Sequence, residues 1–382
     1  RDAVDVPARI RRIDVGGLTD DEIDSLVWHE RECTAGELDL RAGVAFTVTW
    51  LDAGPSARGR LLWVVHRLAV DGASWRILLA DLATACAAAM AGTTPTLPRP
   101  VTSFRTWAAH LAELAAGDEQ LNGLRRWTET LKGGEPGPEA GLLGTGSARS
   151  RMTLQLAEDE TAALLTTVPT AFHATVEDAL LAGLTLAVAD RRRHHGTAHG
   201  TSVLLEVAGD GRAVLPAPAD LSATVGCFSS IHPMLLDPGE VEWRDIWAGG
   251  ADLDRAFMTI EEQAREYADN GIAYGLLRHL NPDTRAELAA LPAPRIRFSY
   301  LGTFEGGGGS DGGDWTTEPE WVLRGSDATE SGADHAIEIS AVTVDGPDGA
   351  RLAVHWTWSE AHFSDTTPVP YHHLTPPQLS SV

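Results

Sequence analysis

Residues Val64–Leu82 read VVHRLAVDGASWRILLADL, and the fold is decided by how this stretch is organised. Leu61, Leu62, Trp63, Val64 and Val65 make a short apolar run of the kind a buried strand forms. The run ends in His66-Arg67-Leu68-Ala69-Val70-Asp71-Gly72. Beyond it Trp75, Leu78, Leu79, Leu82, Cys86 and Ala89 recur at helical spacing, with Gly92 as a stop. A polar loop between a buried strand and a buried helix holds its side chains rigidly, which suits a reacting group. This loop carries a histidine and an aspartate, but the residue beside the histidine is an arginine.

Working outward, Phe46, Val48 and Trp50 alternate as in a half-buried strand, and the turn-rich Asp52–Gly59 closes a hairpin onto Leu61–Val65. Asp20, Asp21, Glu22 and Asp24 open a helix towards Trp28. Downstream, Thr93–Pro100 is a proline-rich connector, followed by expected helices at Ser103–Ala116 and Asp118–Lys132. Gly133–Ser147, rich in small residues, is the expected lobe boundary. The second part reads as strands at Arg151–Leu156, Ser202–Val207 and Ile296–Leu301, and a terminal pair at Ile337–Val344 and Arg351–Trp358. Helices are expected at Glu158–Thr167, Thr175–Ala189, Trp243–Asn270 and Gly275–Leu280, and a flexible loop at Glu305–Asp314.

The 382 residues, 43% of them hydrophobic, suffice for two lobes around a large core. A formal charge of −24 repels phosphate backbones and argues against nucleic-acid binding. No window reads as a membrane span, and no signal peptide opens the sequence. Cys33, Cys86 and Cys227 have neither zinc spacing nor a disulfide framework, which fits a reducing cytoplasm.

The quoted stretch resembles the HHxxxDG core motif of condensation and epimerisation domains of non-ribosomal peptide synthetases, and SWRILLADL resembles the epimerisation branch. Further resemblances follow in family order. LEVAGDGR at Leu205–Arg212 is similar to EGHGR, and TVGCFSSIHP at Thr224–Pro233 to TVGWFTSxYP. NGIAYGLLRHL at Asn270–Leu280 is similar to GxGYGxLRYL, and RFSYLGTF at Arg297–Phe304 to FNYLG. The resemblance implies an α/β chain of two chloramphenicol-acetyltransferase-like lobes arranged as a V, with a tunnel for carrier-bound phosphopantetheine between them. The expected division is an N-terminal lobe over residues 1–140, a C-terminal lobe over 141–367 and a proline-rich tail over 368–382. The PIQ-type first motif and the usual closing helix are not found.

The departures at the centre weigh more. The family's second histidine, the reacting base, is here Arg67, which cannot be deprotonated near neutral pH. Its carboxylate partner, the glutamate of EGHGR, falls on Ala208, and the family histidine there on Asp210. Glu206, two residues earlier on the same strand face, is the displaced alternative. The resemblance gives Asp71 and His66 structural roles and lets Gly72 turn the chain into the helix. Arg67 is expected buried with its donors satisfied.

The HRxxxDG form narrows the resemblance to the X-domain of glycopeptide-antibiotic synthetases. That implies a non-catalytic platform that docks cytochrome P-450 oxygenases beside a peptidyl carrier protein and a thioesterase. No cofactor would be its own: haem belongs to the oxygenase, phosphopantetheine to the carrier. The alternatives are a catalytic condensation or epimerisation domain with an unusual base, or a structural spacer.

Other candidates are weaker. Arg191-Arg192-Arg193-His194-His195 reads as a solvated helix end rather than an anion site. His194, His195 and His199 lack a nearby carboxylate for a metal. Gly306–Ser310 lacks the ending of a phosphate loop, and His66 stands one residue too far from Asp71 for the HxxxDG of plant acyltransferases.

Overall fold

A computed structural model describes residues 9–117, 121–134, 149–195, 200–212, 220–268, 271–305, 335–346 and 349–359. The chain divides into two compact units, Arg1–Pro98 with Ala223–Phe228, and Arg99–Ser222 with Ser229–Val382.

In the smaller unit, β1 (Ile10–Asp14), β2 (Phe46–Asp52) and β3 (Arg60–Val65) form a sheet in that order. The β2–β3 hairpin is antiparallel, as expected, with Trp50 opposite Leu61 and Phe46 opposite Val65. The parallel strand β1 was not anticipated, since Ile10-Arg11-Arg12-Ile13-Asp14 is mostly exposed and lacks an apolar alternation. Helix α1 (Asp20–Ala35) starts at a capping box. The Thr19 backbone N–H donates to Glu22 Oε2 at 2.8 Å and the Glu22 N–H donates to Thr19 Oγ1, so two otherwise orphaned donors are satisfied.

Helix α2 (Gly72–Met90) ends one residue before Ala91, and Gly92 takes a left-handed φ of +65°. Its 19 residues are long and apolar enough to match a membrane span by composition, which corrects the expectation that no window does. The reason is its richness in alanine and leucine, with Arg76 and Asp81 as its only charged residues. Ser74 is its one buried residue.

The larger unit holds a six-stranded sheet. Its strands are β4 (Arg149–Gln155), β5 (Val203–Gly209), β6 (Ser230–Leu236), β7 (Ile296–Glu305), β8 (Ile337–Gly346) and β9 (Gly349–Ser359), in spatial order β4-β9-β8-β7-β5-β6. β7 is parallel to both β5 and β8, and the other pairs are antiparallel. Register separates the two faces. Val207, Phe298, Ile339, Trp356 and Met152 share one apolar row against the core. The alternate residues make two polar rows: Glu206, Arg297, Glu338 and Thr357, then Ala208, Ser299, Ser340, His355 and Thr153.

Two boundaries differ from expectation. Residues 135–148, which include most of the expected lobe boundary, lie outside the described set, and the division by packing falls at Pro98–Arg99 instead of 140/141. Helices α3 (Phe104–Ala115) and α4 (Leu124–Gly133) belong to the larger unit because Trp127 and Leu131 are buried in its core, and Asn281 Nδ2 donates to the Ala115 carbonyl at 2.8 Å. Of the expected Asp118–Lys132 helix, residues 118–120 lie outside the described set, and a turn at Asn122-Gly123 precedes helix α4. The Glu158–Thr167 helix continues through a π-turn at Ala163–Thr167 to Phe172. The Gly-rich loop beyond Glu305 and the tail 368–382 lie outside the described residues.

Candidate functional site

The loop after β3 is built by its own backbone. The His66 N–H donates to the Ala45 carbonyl at 2.8 Å, and the Ala69 N–H to the His66 carbonyl at 2.8 Å. The His66 ring belongs to the same turn, its Nδ1 accepting from the Leu68 N–H at 3.1 Å. That bond leaves the nitrogen occupied by loop structure. Arg67 lies on the turn and is exposed, not buried as expected. A guanidinium keeps its charge most cheaply where water reaches it, so nothing forces this one inward.

Asp71 is the N-cap of α2, with Oδ1 accepting from the Ser74 N–H at 2.7 Å. Its Oδ2 accepts from the Phe228 N–H at 3.1 Å. Ser74 Oγ donates to the Gly226 carbonyl at 2.8 Å and lies 3.0 Å from the Gly226 N–H. The Thr224–Phe228 part of the third motif is thereby stitched to the first. Gly72 is the first helical residue and is absent from the glycines with positive φ, so the turn does not depend on left-handed backbone.

In the larger unit Ala208 stands on β5 between Ile231 and Ser299, with no carboxylate at its place in the row. Asp210 is exposed and closes a turn, its Oδ1 accepting from the Arg212 N–H at 2.9 Å, while Arg212 donates to the Leu221 carbonyl at 2.8 Å. One row earlier the sheet gathers Glu206, Arg297, Glu338 and His335. His335 Nε2 is 3.1 Å from Glu206 Oε1, and its Nδ1 is 3.8 Å from Glu338 Oε1. Arg297 Nε is 3.8 Å from Glu206 Oε1. The His335 side chain is 8% exposed and that of Glu206 21%.

Burial pushes the Glu206 carboxyl up, but the His335 hydrogen bond, followed by the charges of His335, Arg297 and His232, outweighs it and holds the group below its ordinary value. Glu206 is therefore a carboxylate at neutral pH and a weak base by itself. Its partner was not foreseen from sequence. His335 precedes β8 and meets Glu206 only because β5, β7 and β8 lie side by side, so no local pattern signals the contact.

Nearby, His232 of the third motif is 4% exposed, packed against Trp127 and Tyr267, and Tyr274 packs on the Trp127 ring. Neither of its ring nitrogens has a hydrogen-bond partner among the described residues. Burial lowers its pKa to about 4, against the opposing pull of Glu206. Gly271 is required beside it, because a Cβ there would lie 2.7 Å from His232 Nδ1. Tyr274 is pushed up by its own burial.

The condensation-domain pattern matches residues 4–367. The chain belongs to the condensation-domain family. Among curated condensation-family relatives, a linear gramicidin synthase of Brevibacillus parabrevis is 36% identical over 275 residues, which is 70% of this chain and 5% of that protein. The chain thus spans a small part of the relatives it matches. Among solved condensation-family structures, the epimerization domain from the third module of tyrocidine synthetase B aligns with a TM-score of 0.72 at 26% identity, covering 92% of this chain and 74% of that one. The X-domain from teicoplanin biosynthesis aligns at a TM-score of 0.55 and 17% identity, covering 92% and 74%, a likeness of fold alone.

Proposed function

We propose that this chain is an epimerisation-type domain of a non-ribosomal peptide synthetase, exchanging the α-proton of an aminoacyl or peptidyl group presented as a carrier-protein thioester. The observation that carries this reading is its likeness to the tyrocidine synthetase epimerization domain, at 26% identity over 92% of the chain. The motif order, from HRLAVDG through RFSYLGTF, supports the same branch. The proton transfer does not run through Arg67 or Ala208, since one cannot accept a proton and the other has no acid–base group. The domain supplies no cofactor of its own; phosphopantetheine comes with the carrier.

The test is direct. An aminoacyl-pantetheine thioester incubated with the protein in D2O is expected to gain deuterium at Cα faster than without protein. No wash-in at stoichiometric protein, on a chain of native circular dichroism, refutes the reading.

Arg67 and Ala208 favour a second reading, the non-catalytic platform for cytochrome P-450 oxygenases that the HRxxxDG form implied. It predicts no wash-in together with calorimetric binding to a haem oxygenase of the same pathway. The X-domain likeness, at 17% identity, supports the fold and not this role.

A further inference from the structure

We propose that a groove at the end of the helix Val176–His195 binds a small aromatic carboxylate, its ring on the Arg193 guanidinium and its carboxylate on Arg244. The inference goes beyond the epimerisation-type reading and does not rest on it. The sequence reads Arg191–His195 as a solvated helix end. In the larger unit the short helix Trp243–Trp247 lies against that end, and the two enclose a groove of about 470 Å³. Arg193, His194, Glu242, Trp243, Arg244 and Trp247 line it, and its volume is that of a small-molecule site. The groove lies at the opposite end of β5 from Ala208, since Arg192 Nη1 donates to the Ser202 carbonyl at 3.0 Å just before the strand begins.

Asp190 builds the site. Its side chain is 14% exposed, and Oδ1 accepts from Arg193 Nε at 3.0 Å and Nη2 at 2.7 Å, while Oδ2 accepts from Trp247 Nε1 at 3.1 Å. One carboxylate thus fixes a guanidinium and an indole, and its own charge is neutralised within the groove floor. Arg193 lies over the Trp243 ring, 5.5 Å from its centroid, with its side chain still 48% exposed. A guanidinium held in this way presents a flat cationic plane on which a second aromatic ring stacks. Arg244 is exposed, and its guanidinium has no partner among the described residues. Its fork of donors matches a carboxylate. Two opposing charges decide why the ligand needs both parts. The carbonyl end of the helix and Glu242, whose Oε1 accepts from the Arg244 backbone N–H at 3.3 Å, disfavour a bare anion. A ring without charge leaves the Arg244 fork unmatched. The groove therefore selects a ring and a carboxylate in one molecule.

Titration of the full chain, with nitrogen-15 in its indoles, tests this with phenylacetate as the probe and with acetate and benzyl alcohol as its two halves. The Trp247 indole N–H resonance, identified by its loss in Trp247→Phe, reports on the groove. Phenylacetate is expected to move it with a Kd on the order of millimolar, at least about fivefold tighter than either half. Arg244→Gln should weaken binding at least about fivefold and Glu242→Gln should strengthen it, opposite signs that a loss of folding does not produce. Asp190→Asn should weaken it by loosening Arg193 and Trp247 together. Acetate binding as tightly as phenylacetate overturns the inference, leaving only unspecific surface charge. A Trp247 signal unmoved at tens of millimolar phenylacetate also overturns it, as does binding to Arg244→Gln within about twofold of wild type.

Discussion

Removing the Asp71 carboxylate separates two bonds that hold the motif together. Oδ1 caps α2 through the Ser74 N–H, and Oδ2 takes the Phe228 N–H from the third motif. Loss of an N-cap costs about 1 kcal/mol. A hydrogen bond to a charged acceptor contributes about 1.5–3 kcal/mol. Asp71→Ala is therefore expected to destabilise by about 3 kcal/mol, a fall in Tm on the order of 6–12 °C at about 2–4 °C per kcal/mol. Asp71→Asn keeps a good capping oxygen but only one acceptor, so about half the loss should return. Urea unfolding followed by tryptophan fluorescence reads both, since Trp63 and Trp75 stack edge-on at 5.9 Å in the same unit. Ser74→Ala removes the contacts to Gly226, and the double variant should be non-additive by more than about 0.5 kcal/mol, because both side chains hold one segment. A loss below about 0.5 kcal/mol in Asp71→Ala, or equal damage from Asn and Ala, would refute the two-bond account.

Restoring the motif needs both halves: Arg67→His with Ala208→Glu should raise α-deuterium wash-in at least about 100-fold over wild type, and Arg67→His alone by far less. His232 titrates near 4 in the fold against an ordinary 6.5, so between those values the unfolded chain binds a proton that the native one does not. Stability should fall by about 3 kcal/mol as pH drops through that window, at about 1.4 kcal/mol per unit, and His232→Phe should flatten the slope in urea titrations at pH 7 and pH 5. Glu177 is the opposite case. Burial, then the charge of Asp178, raises it to about 7, so the native chain keeps a proton that the unfolded chain loses above 4.5. Stability declines as pH rises from 4.5 to 7, and Glu177→Gln should gain about 1–3 kcal/mol at pH 8 by thermal melting.

Much of the fold was legible because its signals are local. The Phe46–Val48–Trp50 alternation, the apolar run at Leu61–Val65 and the helical spacing from Trp75 to Ala89 gave the hairpin and α2, and motif order gave the family. The terminal pair Ile337–Val344 and Arg351–Trp358 was equally plain, since alternation and a short turn specify an antiparallel pair. Residue chemistry is legible in the same way: an arginine at 67 accepts no proton near neutral pH and an alanine at 208 has no acid–base group, wherever they lie.

Contacts between distant segments were not legible. Strand β1 reads as a charged stretch until β2 pairs with it, and the division at Pro98 follows from where Trp127 and Leu131 are buried, not from the Gly-rich run that follows them. The narrowing to an X-domain rests on one arginine, whereas over the same 92% of the chain the epimerization domain aligns at a TM-score of 0.72 and the X-domain at 0.55. Side-chain chemistry and short-range periodicity are properties of the sequence itself. The meeting of Glu206 with His335 is not, because it requires β5, β7 and β8 in parallel register, a pairing stabilised only once the apolar row of Val207, Phe298 and Ile339 has closed on the core.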